Sequence, residues 1–133
     1  MNLPINPAGL PPARGFSHGM LSGEGRVLHI AGETGHYEDL TLDGDFVGQF
    51  GQACRNVSAV VVGAGGNPAD IVSLTVFVTD VSAYRANLGA IGEAYRAVFG
   101  RHFPSMALIG ITELVDPKAL VEITGVAVIP PPN

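Results

Sequence analysis

Apolar residues along this chain follow two rhythms, and the switches between them mark out the elements. Phe46, Phe50, Cys54, Val57, Val61 and Ala64 recur at spacings of three and four, the period of a helix that buries one face. Asp43 or Asp45 is placed to cap it, and Gly65 with Gly66 to end it. Residues 71–79 alternate instead, with Leu74, Val76 and Val78 opposite Ser73, Thr75, Phe77 and Thr79. That alternation and the β-branched content predict a strand. A second helix opens at Asp80 or Ser82 and carries the stripe Tyr84, Leu88, Ile91, Tyr95 and Phe99 up to Gly100. Strands are also predicted over residues 15–21 and 26–31, joined by a hairpin turn at Ser22, Gly23, Glu24 and Gly25. Two more cover about 106–112 and 120–129, joined by a turn at Asp116 and Pro117.

The order strand, strand, helix, strand, helix, strand, strand predicts a single α+β domain, a two-layer sandwich with two helices on one face of a mixed sheet. Prolines at 4, 7, 11 and 12 and at 130–132 deny the two ends regular helix or central strand, since proline lacks the N–H and fixes φ. The ends read as tails, with the core over about residues 15–129. The polar link over 33–42 has room for a short extra strand.

Composition bears on what covers the sheet. Of 133 residues, 47% are hydrophobic and only 14% charged, too little charge to coat so small a body. The sheet face without helices is therefore expected to be buried against further copies of the chain. The formal net charge is -5 and the seven Lys and Arg are scattered, which argues against nucleic acid as a partner. A lone cysteine, Cys54, excludes an internal disulfide or a Cys-rich metal site and fits a reducing compartment. Lying on the apolar stripe, it reads as a core residue. No basic segment leads into an apolar run near Met1, and no stretch is long and glycine-free enough to span a bilayer. A cytoplasmic protein without a membrane partner is expected.

Among candidate chemical groups, Glu122 comes first, because a carboxylate within Leu120, Val121, Glu122, Ile123, Thr124 must be paired, protonated or set in a cleft if it is buried. Alternation alone equally allows it to point to solvent between Val121 and Ile123. His18, His29, His36 and His102 show no i, i+4 or H-x-H spacing, so no metal is expected. His102, beside Arg101 and just before Phe103 and Pro104, is better placed for ligand contact than His29. Ser17 and Ser105 lack a nucleophile elbow, and the glycines form neither a P-loop nor a dinucleotide fingerprint. No cofactor is expected.

The runs Asn67 to Asp80, Phe103 to Met106 and Leu120 to Val128, behind an early Gly32, Thr34 and Gly35, in combination resemble the motifs of the YjgF/RidA family. Asn67 to Asp80 resembles that family's "divk-tvfv-d" strand and is followed by a helix. Phe103, Pro104, Ser105 and Met106 stand at its F-P-A-R, residues 120–128 at its closing "vEIea-av" strand, and Gly32, Thr34 and Gly35 at its early "SGQ-G" signature. The resemblance covers residues 15–129 in the right order.

It implies a chorismate mutase-like fold and a homotrimer that holds a small-molecule ligand in clefts between subunits. Carried over by position, the Gly32 carbonyl would orient an amine or imine and Glu122 would position or activate water. The departures are as informative. Met106 stands at the arginine that clamps a substrate carboxylate, Phe16 at a common tyrosine, Ala31 at the signature serine and Leu108 at a common cysteine. A thioether offers no bidentate guanidinium fork, so 2-aminoacrylate and 2-iminobutanoate are expected to be poor substrates. Arg101, His102 or a neighbour's Arg14 would have to replace the clamp. The leading functional expectation is a metal-independent imine or enamine deaminase-like hydrolase of carbon–nitrogen bonds, an aminomuconate-type intermediate being one candidate substrate. The alternative is a non-catalytic ligand-binding trimer. An endoribonuclease or translation-inhibitor role stands third.

Overall fold

A computed structural model describes residues 1–132. Helix α1, Phe46–Gly63, forms where the spacing of apolar residues predicts it. The Asp45 carboxylate accepts from the Gly48 N–H as its N-cap. At the other end Gly65 turns to φ 87°, and the N–H groups of Gly65 and Gly66 bond back to the carbonyls of Val62 and Val61. The buried face includes a polar residue that the apolar pattern omits. Gln49 is 2% exposed, donates to the carbonyls of Asp43 and Lys118, and accepts from the Leu120 N–H. It ties α1 to the start of the last strand.

Four strands, β3 (Arg26–Thr34), β4 (Ile71–Val78), β5 (Ser105–Gly110) and β6 (Val121–Ile129), form a mixed sheet in the order β3-β6-β4-β5. Strands β4 and β5 are parallel and the other pairs antiparallel. The predicted alternation holds on β4. Leu74, Val76 and Val78, with Val121, Ile123 and Ala127 of β6, face α1 and α3 (Leu88–Phe99) and bury Val57, Val61, Ile91, Tyr95 and Phe99. Each buried Val, Leu, Ile or Phe among them contributes roughly 1.5–3 kcal/mol. The other face, with Ser73, Thr75, Phe77, Glu122, Thr124 and Val126, is only half-buried in one chain. Among the described residues no helix is long and apolar enough to cross a membrane.

Three local expectations are corrected. Leu3–Ile5 forms a strand, β1, that pairs with β2 (Gly19–Leu21) in an antiparallel two-stranded ribbon. Pro4 is tolerated opposite Met20 because a two-stranded ribbon leaves one side of each strand without ladder bonds. The predicted hairpin between residues 15–21 and 26–31 does not form, since β2 takes β1 and β3 takes β6 as partner. Strand β3 also runs on to Thr34 through a register shift between Ile30 and Glu33. Finally, the second helix is broken. Asp80 caps α2 (Val81–Ala86), but Asn87 leaves helical geometry and its side-chain amide donates to the Ala83 carbonyl. The break takes Leu88 out of the buried stripe, and it is 58% exposed.

Candidate active site

The register shift in β3 shapes the site around Glu122. Ala31 and Gly32 fall at the irregular step between Ile30, opposite Gly125, and Glu33, opposite Ile123. Bulges of this kind re-aim side chains and often border functional sites. Thr124 braces the step by donating its hydroxyl to the Ile30 carbonyl at 2.6 Å. A Cβ on Gly32 would lie 2.7 Å from Cδ and 2.8 Å from Oε1 of Glu122, so the carboxyl rests on the bare backbone. Glu33 is drawn into the same electrostatics. Partial burial, and then the charge of Glu122, push its carboxyl above the ordinary range.

A hydrogen-bonded chain adjoins this carboxylate. Thr34 stands directly opposite Glu122 in the ladder, a placement that brings Cβ atoms to about 4.5–5.5 Å. With the proton on Nε2 of His36, the Thr34 hydroxyl donates to Nδ1 at 2.5 Å and Nε2–H donates to Asp116 Oδ2 at 2.8 Å. The Asn56 amide of α1 donates to the carbonyls of both Thr34 and His36, which fixes the backbone that carries them. The Lys118 N–H, then His36, hold the Asp116 carboxyl below its usual range. Sequence reading missed this chain, because His36 and Asp116 are 80 residues apart and neither lies in a motif.

Met106 and Leu108 lie elsewhere. Both pack toward the helix-covered core and line a groove of about 250 Å³ between β5 and α3. Glu122 is in register with Phe77, which is in register with Ile109, so it belongs to the opposite face. One chain does not bring Glu122 and Met106 together. Phe16, Arg101 and His102 border a third space, a cavity of about 800 Å³ beside the β1–β2 ribbon. There the His102 ring bonds to the Ile71 carbonyl at 2.7 Å and its own carbonyl accepts from the Tyr95 hydroxyl, so the imidazole already has a structural partner. Cys54 is fully buried, and burial pushes its thiol up to about 12. It is unsuited to nucleophilic work. Among the described residues no three His, Cys, Asp or Glu side chains gather as a metal site would require.

The chain has relatives among known proteins. The sequence profile described as Endoribonuclease L-PSP matches residues 8–129. A 2-iminobutanoate/2-iminopropanoate deaminase of Escherichia coli K12 is 35% identical over 85 residues, covering 63% of this chain and 64% of that protein. The RutC family protein UK114 of Drosophila melanogaster is 29% identical over 104 residues, 77% of this chain and 72% of that one. The chain thus spans just under two-thirds of the length of the bacterial deaminase. Over nearly its whole length it superposes on the crystal structure of a Yersinia pestis Rid-family protein of unknown function, YyfB, with a TM-score of 0.87, 33% identity, and 96% and 98% of the two chains covered. Motif order, fold and these matches converge: the chain belongs to the endoribonuclease L-PSP family, that of the YjgF/RidA proteins.

Proposed function

We propose that the protein hydrolyses a carbon–nitrogen bond in a small imine or enamine metabolite, with Glu122 as the acid–base group, in a cleft that a second copy of the chain completes. The observation that carries this reading is the Glu122 carboxyl resting on Gly32 within an otherwise apolar strand. Hydrolysis of C=N needs a proton on nitrogen and a water at carbon, giving a carbinolamine that collapses to a carbonyl compound and ammonia. One carboxyl group can donate the first proton and then accept one from the attacking water. The bare backbone at residue 32 gives this carboxyl the room to lie there.

The half-exposed sheet face and the separation of Glu122 from Met106 within one chain support an assembly, a homotrimer by resemblance, in which a neighbour brings its groove to this carboxylate. Met106 takes the place of the usual clamp, so the carboxylate of a 2-imino acid must be held by another cation if that acid is to turn over. The test is a panel of freshly generated imines and enamines with wild type and Glu122→Gln. Ammonia release that is lost in the variant, by a factor of about 10² to 10⁴, supports the reading, and equal rates would remove Glu122 from the chemistry. Binding without turnover by wild type would favour the non-catalytic alternative, for which the methionine at 106 speaks. An endoribonuclease role is opposed by the net charge of -5.

A further inference from the structure

We infer that the groove between β5 and α3 binds a small monocarboxylate with a compact apolar body, and that Arg96 is the residue that recognises its carboxylate. Arg96 lies in the last turn of α3, and its side chain runs back along the helix over Gly92, one turn earlier, as long helical side chains do. The position a Cβ would take at Gly92 is 3.0 Å from Nη1 of Arg96 and 3.7 Å from its Cζ. A Cβ at residue 92 would crowd the guanidinium, so the bare backbone gives it room to lie against the helix. Folded there, it lines the same groove as Met106 and Leu108. Among the described residues no carboxylate pairs with it, the one ion pair there being that of His36 with Asp116.

The rest of the groove is apolar. Tyr84, Leu88 and Ile91 wall it on the helix side, and Val76, Met106 and Leu108 on the sheet side. Its volume of about 250 Å³ falls below the ~300–1,000 Å³ of sites for drug-sized ligands, which points to a metabolite-sized body. Leu88, 58% exposed at the rim, is an apolar surface that such a body would cover. A guanidinium can present two parallel N–H donors to a carboxylate. The opening thus pairs one cationic fork with an apolar pocket, the complement of a carboxylate on a short branched or cyclic body. The inference deepens the proposed function and rests on it only for identifying the bound acid as a substrate.

Calorimetric titration of the full-length protein with 3-methylbutanoate and with its neutral amide, 3-methylbutanamide, tests the assignment. Wild type should bind the acid more tightly than the amide by about 10- to 100-fold, the range for a charge-assisted hydrogen-bonded contact. Arg96→Gln should abolish that preference, and Arg96→Lys, which keeps the charge but not the fork, should retain part of it. Circular dichroism of each variant checks that it is folded. Glu122→Gln should still prefer the acid to the amide, the preference Arg96→Gln abolishes, so that lost turnover with retained recognition would separate the failure of one proposal from that of the other. Equal affinity for acid and amide in wild type, no binding of the acid at millimolar concentration, or an acid preference surviving in Arg96→Gln would each overturn the assignment.

Discussion

The Glu122 carboxyl lies over the bare Cα of Gly32, so near that a methyl group there would overlap both Cδ and Oε1. The overlap is with the end of a flexible side chain, which can swing away, and not with backbone. Gly32→Ala should therefore slow imine hydrolysis at least about tenfold, near 1.4 kcal/mol on the barrier, while changing unfolding stability by less than about 1 kcal/mol. Rates and urea unfolding measured side by side check this. A large stability loss with an unchanged rate would reduce the contact to packing.

Asp116 should leave an acid limb in the stability profile. Its folded pKa lies below the ordinary 3.8 because the Lys118 N–H and His36 favour the charged form. The stabilisation is complete above the unfolded value and is lost as pH falls through the folded one. Thermal melts of wild type and Asp116→Asn should differ near neutrality and converge at about pH 2. A constant difference across that window would assign the effect to something other than the carboxylate.

Gln49 should be among the costliest polar positions to truncate. Its amide answers two carbonyls and one N–H in a fully buried setting. Gln49→Ala leaves those groups without partners and opens a void, for a loss of about 3 kcal/mol or more. Urea unfolding gives the value directly, and a change under about 1 kcal/mol would mean that water replaces the amide.

Cys54 should resist thiol reagents in the native protein at mildly alkaline pH, because burial both hides the sulfur and raises its pKa to about 12. Labelling with a disulfide reagent should follow global unfolding in urea, midpoint for midpoint. Rapid labelling without denaturant would contradict the packing of α1.

Much of this molecule is legible without coordinates. Helix α1 and strands β4 and β6 declare themselves because their periods of 3.6 and 2 are local properties, set by which face each residue must bury. Glu122 stands out for a related reason, as a charge in a run of apolar residues, and the motif order that identifies the family is linear by nature.

What tertiary structure decided is of another kind. That β2 pairs with β1, and not with the strand that follows it, depends on β3 finding its ladder on β6, about a hundred residues further along the chain. The break at Asn87 depends on a side chain competing for a helical carbonyl. The chain from Thr34 through His36 to Asp116, and the placing of Arg96 beside Met106 and Leu108, require elements distant in sequence to meet. Periodicity reports which face of an element is buried, but the partner on that face is chosen by packing across the whole fold. The glycines at 32 and 92 are ordinary in the sequence, and only the coordinates reveal the carboxylate and the guanidinium lying against them.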